Sequence, residues 1–434
     1  MKNRYRLTLA LVVLAVMIAQ TAFAQDYTLR PGVLSPDQVD FGGKTVTFLV
    51  GDLGYTGPNG GFPTNELIAE AEALFNVKIA TQSLGTSGVA DIITARILAG
   101  DSALDVIRMP HRYGYYTLVS ANMLWPISDI LPPEYYETLP NADRYCIEKL
   151  QYMKKYYGFG VVYGLFNSTM MFTFYNRDII DREGLVDPYD LYESGEWCLD
   201  TMTELAIAAT KDLTGDGVPD QFGIEEGSIS HSNRVFRIAA ANGAELAKTD
   251  SEGKWVYAYN EPEAIEILSL IAKWRYDLKV AGGSLNGGTA LFHTHNHLAG
   301  ARNYTINWGM VPIPNSTPGL YRYPVFDFAM NMLPVNSANP EGLIALTEFL
   351  FREEDGYDYL DYYINNYMKD VKHFRVYEAA IESWQGEGDP FQDMFWSQAQ
   401  AAIHSVIQGT KGAAQAMDEI APTIQALLDD LFKQ

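Results

Sequence analysis

Five short segments between residues 44 and 109 constrain this chain more than any other feature. KTVTFLV (44–50), VKIA (77–80) and LDVIRM (104–109) are apolar and β-rich. Between them, NELIAEAEALF (65–75) and VADIITARILAG (89–100) carry helical spacing, the second ending at Gly100. Strands alternating with helices at this spacing build βαβ units around a parallel sheet. The pattern resumes with the strand MMFTFY (170–175) and the helices CLDTMTELAIAATKDL (198–213) and NEPEAIEILSLIAKWRYDL (260–278). The last of these has Pro262 in its first turn, where proline is tolerated. The C-terminal third reads as mostly helical, with EGLIALTEFLF (341–351) and AAQAMDEIAPTIQALLDDLF (413–432). The fold class is α/β, and 434 residues suggest two or three domains.

The first residues read as an export signal. Lys2, Arg4 and Arg6 precede the apolar run Leu7–Ala19, and Ala22-Phe23-Ala24 offers a small-residue cleavage site before Gln25. That run is too short to span a bilayer, and no cysteine near the cut offers a lipid anchor. A soluble mature protein in the periplasm or outside the cell is expected. Cleavage removes three cations and no acids, so the formal charge moves from −23 to −26. A strongly anionic chain argues against nucleic acid or anionic membrane as partner. Two cysteines, Cys146 and Cys198, are no disulfide scaffold, and a single bridge or two free thiols both stand.

KDLTGDGVPDQFGI (211–224) has the rhythm of a calcium loop. Asp212, Thr214, Asp216 and Asp220 fall at positions 1, 3, 5 and 9, with the Val218 carbonyl at position 7. Position 12, a bidentate Glu in such loops, is Gly223. The same residues also read as Asx turns closing a helix exit, with Gly217 allowing the bend.

Six stretches, in order over nearly the whole mature chain, resemble the extracytoplasmic solute-binding proteins of ABC importers, in the carbohydrate-binding family that includes maltose-binding protein. They are ILAGDSALDVIRM, NMLWPISDIL, FTFYNRDIIDREGL, GEWCLDTMTELAIAATKDLTGDGVPDQFGI, WGMVPIP and ANPEGLIALTEFL. The resemblance implies a type II two-lobed periplasmic-binding-protein fold. Each lobe is then a mixed sheet flanked by helices, with hinge strands crossing between lobes and a ligand cleft between them. It places lobe one at 26–170 plus 285–325 and lobe two at 175–280 plus 330–434, after a signal peptide at 1–24. FTFYNRD is the expected first crossing, GGTALFHTHNHLAG the return and FAMNMLPVNSANPEG the last. Some relatives bind calcium at the acidic turn, so the resemblance allows a structural calcium on Asp212, Thr214, Asp216, Val218 and Asp220; no other cofactor is required.

The implied function is capture of a sugar or oligosaccharide and its delivery, by a monomer, to membrane permease subunits. Sugars offer apolar faces for aromatic stacking and hydroxyl edges for polar side chains. In VGDLGYTG (50–57), Asp52 falls on a ligand-binding acid, Leu53 replaces a lysine and Tyr55 is a stacking candidate. In RMPHRYGYY (108–116), Met109 replaces a stacking tryptophan, and Arg112 and Tyr113 replace an aspartate and an arginine. In DMFWSQAQAAIHSVIQG (393–409), Trp396 falls on a stacking tryptophan, and Gln400 lies one turn later on the same helix face. His297 takes the place of another stacking tryptophan.

Rival readings remain open at this stage. His293, His295 and His297 alternate, which in a strand puts all three on one face, as a zinc site requires, although no acidic fourth ligand is near in sequence. Peptide binding is another alternative. A secreted glycosidase would also be acidic and aromatic-rich, yet the chain has no G-x-S-x-G, H-E-x-x-H, C-x-x-C or phosphate loop. The expectation is a binding protein, not an enzyme.

Overall fold

The computed structural model describes residues 28–433, apart from 51–62, 84, 86–87, 102, 163–169, 296–300, 302, 326–327, 353–366 and 385–388. The expected signal peptide lies outside these residues. Three parallel strands, β1 (Thr45–Val50), β2 (Lys78–Ser83) and β3 (Val106–Pro110), are linked by helices α1 (Asn65–Leu74) and α2 (Val89–Leu98). Helices α3 (Tyr115–Ser120), α4 (Pro133–Glu137) and α5 (Asn141–Lys149) follow. The chain then enters a second sheet region: β4 (Phe172–Asn176), α6 (Arg177–Glu183), α7 (Pro188–Ser194), α8 (Leu199–Ala209), β5 (Phe222–Ile224), α9 (Glu226–Ser230) and α10 (Ser232–Ala241). A small hairpin, β6 (Ala247–Thr249) and β7 (Trp255–Tyr257), leads to α11 (Pro262–Tyr276), β8 (Ala290–His295) and β9 (Trp308–Pro312). After β10 (Ala329–Met332) come α12 (Pro340–Leu350), α13 (Val371–Ser383), α14 (Gln392–Ile407) and α15 (Ala413–Phe432).

Local chemistry explains the boundaries. Strands β3, β4 and β9 are buried at every residue, as strands covered on both faces must be, so they read as apolar runs without alternation. Asn176 ends β4 and caps α6, accepting from the Asp178 and Ile179 amides at 2.9 and 3.3 Å. Gly184 closes that helix in the left-handed region, at φ +64. Thr64 caps α1 in the same manner through the Leu67 amide. Cys146 and Cys198 are buried and unpaired.

The two large sheets have orders β10-β3-β1-β2 and β5-β8-β4-β9. This is the mixed α/β, two-sheet architecture expected, but the expected division of the chain needs correction. Strand β4 pairs antiparallel with both β8 and β9, so FTFYN lies wholly inside the second sheet and the crossing precedes it. The segment assigned to the return, 285–325, therefore contributes β8 and β9 to the second sheet. Conversely, β10 pairs antiparallel with β3 and returns the chain to the first sheet. Helix α12 follows it there, with Phe349 edge-on to Phe75 at 5.5 Å and Arg352 paired to Glu70. Backbone ladders decide the matter: a strand belongs to the sheet whose amides it pairs.

Two extended segments cross side by side, the Met171 amide donating to the Pro324 carbonyl at 3.2 Å. Just upstream, Gly160 sits at φ +66, its amide donating to the Tyr135 hydroxyl at 2.6 Å. A Cβ there would come within 3.1 Å of Asn331 Nδ2 and 3.3 Å of Glu348 Oε1. Gly184 has nearly the same φ with nothing within 4 Å. Gly160→Ala should therefore cost about 1–3 kcal/mol, and Gly184→Ala about 1 kcal/mol or less. Urea denaturation of both variants checks this, and equal losses would remove the packing argument.

Candidate ligand-binding site

Loops leaving the carboxyl ends of parallel strands gather at one edge of a sheet and form a crevice there. In the first sheet, β3 leaves at the 3-10 turn His111–Tyr113. In the second, β5 and β8 run parallel with Ile224 opposite Phe292, so Glu225 and His293–His295 emerge at matching ends. Helix α14 packs against the His111–Tyr113 turn and also against α9 and α10, which follow β5. It thus bridges the strand ends of both sheets.

The first-sheet side is tightly built. His111 is buried, with Nδ1 3.1 Å from the Phe328 carbonyl. Arg112 Nη2 donates to the Tyr113 hydroxyl at 3.1 Å, and its guanidinium lies 4.9 Å from that ring's centroid. Tyr113 is 8% exposed. The two candidates therefore meet each other, Tyr113 as a core ring and Arg112 half-buried above it. Met109 is buried within β3.

Helix α14 is fastened at its start. Asp389 accepts the Leu246 and Phe391 amides at 2.6 and 2.8 Å, and Phe391 stacks on Tyr116, centroids 5.2 Å apart. Trp396 is half-buried and meets Phe236 edge-on at 5.9 Å and 84°, while Phe236 stacks on Tyr259 at 5.0 Å. Gln400 is exposed, and its carbonyl accepts from Ser232 Oγ at 3.4 Å. Trp396 and Gln400 thus share the side of α14 that faces α10. Asp52, Tyr55 and His297 lie outside the described residues.

His293 and His295 do share a face, their rings 5.1 Å apart at 73°. His293 is buried, with Nδ1 3.0 Å from the Tyr304 hydroxyl and 3.5 Å from Glu225 Oε2. Burial, helped by His295, Arg234 and His231, pushes its pKa down to about 3, so the imidazole is neutral. Burial pushes the Glu225 carboxyl up, opposed by the Leu285 amide and by Arg234. An acid does lie near the histidines, in space and not in sequence. Even so, among the described residues no group of three or more His, Cys, Asp or Glu side chains is placed to hold a metal ion.

The acidic turn is a network of backbone bonds. Asp212 accepts from the Thr214, Gly215 and Gly217 amides at 3.2, 2.6 and 2.7 Å. Asp220 accepts from Leu213 and Thr214, and Asp216 from Val218. Those amides hold the Asp212 carboxyl below its ordinary range. As arranged, the carboxylates close the turn through backbone amides. Val218 is exposed.

Sequence reasoning missed Glu225, Arg234, Phe236 and Tyr304. The helical spacing of Val235, Phe236, Ile238 and Ala239 is a signal that could have found α10 and was not used, and β5 is too short to announce the strand end that places Glu225. A separate groove of about 680 Å³ lies beside β9, lined by Tyr192, Tyr321, Arg322 and Glu382. It is formed by α7, α13 and a loop, away from the carboxyl ends of the parallel strands, so the strand-end crevice is the candidate site.

The family of bacterial extracellular solute-binding proteins matches residues 61–357. Among solved structures, a cyclo/maltodextrin-binding protein complexed with maltotetraose is similar at 16% identity and TM-score 0.61, covering 94% of this chain and 100% of that one. An ABC substrate-binding protein from Listeria monocytogenes, in complex with cycloalternan, has 14% identity and TM-score 0.59 over 89% and 98%. A solute-binding protein from Thermotoga lettingae bound with α-D-tagatose has 14% identity and TM-score 0.57 over 89% and 100%. These neighbours share the two-lobed α/β fold. No curated protein matches.

The anchor of α14 makes a pH prediction. Burial pushes the Asp389 carboxyl up to about 6 from its ordinary 3.8, against the pull of its two amide partners. A raised folded pKa means that the stabilising contribution is fully present below about pH 3.8 and is lost as pH rises through about 6. Asp389→Asn should therefore gain roughly 3 kcal/mol on the parent between pH 4 and pH 7. Chemical denaturation at pH 4, 5, 6 and 7 measures the difference; a difference that stays constant across that range contradicts the assignment.

Proposed function

The chain belongs to the family of bacterial extracellular solute-binding proteins, and we propose that it captures a sugar or oligosaccharide between its two lobes and delivers it, unaltered, to the permease subunits of an ABC importer. Export by the signal at residues 1–24 and action as a monomer in the periplasm or outside the cell complete the proposal. Neither the family nor the neighbours are enzymes, and three neighbours were solved with carbohydrate ligands. The observation that carries most weight is Trp396. It is a half-buried aromatic ring braced by Phe236, on the helix that packs against strand-end elements of both sheets. A braced ring loses little freedom when a sugar face stacks on it. Arg112, in the turn that α14 packs against, supplies a polar edge.

A panel of maltose, maltotriose, cellobiose, D-tagatose and ribitol, followed by tryptophan fluorescence and product chromatography, tests the proposal. Saturable binding with every sugar recovered intact is expected; hydrolysis sinks it. For a sugar that binds, Trp396→Ala should raise the dissociation constant ~10–100-fold while melting close to the parent. If the ring serves only the core, the variant should instead lose ~3–5 kcal/mol of stability and bind normally wherever it is folded.

A further inference from the structure

The groove beside β9 holds a cation that the fold leaves unanswered. Arg322 lines it from the loop that follows β9, and is half-buried there. Among the described residues it makes no hydrogen bond and no ion pair, although the chain has 54 acidic residues against 31 basic ones. The guanidinium is nevertheless seated. Asn242, which ends α10, donates to the Pro314 carbonyl at 3.3 Å and accepts the Ser316 amide at 2.8 Å, tying this loop to the helix. The next residue, Gly243, stands at φ +93. A Cβ on it would come within 2.7 Å of Arg322 Nη1 and 3.5 Å of Cζ, so the guanidinium lies in space that glycine leaves open. The C-terminal end of α10, where the helix dipole is negative, favours a cation at that place. A fork of N–H donors that cannot lose its charge is thus held in the groove without a carboxylate.

The rest of the groove specifies what would answer it. Tyr192 on α7 and Tyr321 on the loop bring their ring centroids to 5.1 Å at 54°, and Leu320 beside them is 41% exposed. Together they form an apolar corner in which another ring can pack. Two acids also line the groove. Glu193 is engaged, accepting from the Tyr189 hydroxyl at 2.8 Å with Arg375 at 3.7 Å. Glu382, on α13, is exposed and has no partner among the described residues. The volume of about 680 Å³ falls in the range of small-molecule sites, ~300–1,000 Å³. A simple anion suits Arg322 and is opposed by Glu382; a simple cation meets the reverse. A neutral sugar leaves both charges unanswered. A zwitterion satisfies both, its carboxylate taking the planar guanidinium fork and its ammonium donating to Glu382.

We propose that this groove is a second ligand site, outside the strand-end crevice, for a small zwitterion with an apolar ring: an aromatic α-amino acid, or a dipeptide that ends in one. Arg322 donates to the carboxylate, Glu382 accepts from the ammonium, and Tyr192 and Tyr321 pack against the ring. Gly243 is a positioning residue, since it gives the guanidinium its seat. The site does not depend on the sugar reading and stands or falls separately from it.

The test is calorimetric titration of the mature chain with L-phenylalanine and with the dipeptide Gly-Phe, with melting temperatures recorded alongside. Saturable binding of at least one is expected; heat from neither overturns the site. Phenethylamine, which lacks the carboxylate, and N-acetyl-L-phenylalanine, which lacks the ammonium, should each bind at least tenfold more weakly than L-phenylalanine. Equal binding of either overturns the two-charge recognition. Arg322→Gln should weaken the zwitterion about tenfold or more, the scale of a charged hydrogen-bonded pair, while any sugar of the panel that binds keeps its affinity within twofold. A folded Arg322→Gln variant with unchanged amino-acid affinity overturns the site, as does displacement of the amino acid by a bound sugar, which would put both in the crevice. Should Arg322→Gln fail to fold, Glu382→Gln decides, since that side chain is exposed: a tenfold loss supports the site and an unchanged affinity overturns it.

Discussion

Arg108 carries a charge that cannot be given up into a position of zero exposure in β3, and much of the first lobe is arranged around that fact. Its Nη1 donates to the Val161 carbonyl at 3.0 Å and to Asn331 Oδ1 at 2.8 Å, and the guanidinium lies 3.8 Å above the Phe351 ring. Asn331 in turn exchanges bonds with Phe159, receiving its amide at the backbone and donating from Nδ2 to its carbonyl at 3.0 Å. Tyr135 receives the Gly160 amide and donates to Glu348, which pairs with Arg30 at 3.2 Å. Asp143 accepts from the Val162 amide at 2.7 Å. Four consecutive residues, 159–162, are thus held by side chains from β3, β10, α4 and α5. Buried ions are tolerable only when paired and hydrogen-bonded, and removal of one partner typically costs ~3–5 kcal/mol. Two cations, Arg30 and Arg108, face two carboxylates, Glu348 and Asp143, so the network is balanced as well as bonded.

That network explains why the chain leaves the first sheet from a fixed point and why β10, far along the sequence, must come back to it. Asn331 is the residue that closes the arrangement, and it lies on β10, paired with Arg108 in the ladder. The second sheet has its own fixed point. Arg237, also buried, donates to the Val325 carbonyl at 2.5 Å, while Phe172 packs against Tyr323 at 6.2 Å. A buried arginine on each side therefore holds a crossing segment. The strand-end crevice inherits its geometry from these two anchors, since α14 rests on the elements that they position.

Much of this was legible in the sequence, and the parts that were not share a cause. β1, β2, β3, α1, α2, α8, α11, α12 and α15 follow from local pattern: apolar β-rich runs mark the strands and helical spacing marks the helices. Pro422 inside α15 did not end that helix. The lobe division failed because β4, β8 and β9 are buried on both faces, and a strand with no solvent face does not declare which sheet it will join. Pairing partners more than a hundred residues apart, such as Thr173 and Thr294, whose hydroxyls meet at 3.1 Å, leave no local signature. Trp396 stands near the start of α14, the helix start that its segment resembled. Tyr113 read as a ligand contact because it takes the place of an arginine in the resembling segment; here it is buried beneath Arg112. Glu225, Arg234 and Tyr304 left no signal because they gather around His293 only in space, and His293 itself read as one of an alternating trio.

The contrast between overall charge and local chemistry fixes the kind of recognition this fold performs. The full chain bears a formal −23, yet the groups at the crevice are neutral or offset. His293 is held uncharged by burial, Glu225 sits near Arg234, and Arg112 lies on an aromatic ring. Exposed surface charge is felt over a Debye length of about 8 Å at physiological salt, so it governs solubility and encounter more than discrimination. Discrimination comes from groups that have already lost their water when the ligand arrives. Side chains fixed by packing have met part of that cost during folding. The network around Arg108 is therefore part of the binding apparatus even though it touches no ligand: it holds the strand ends still, and stillness is what lets neutral groups select.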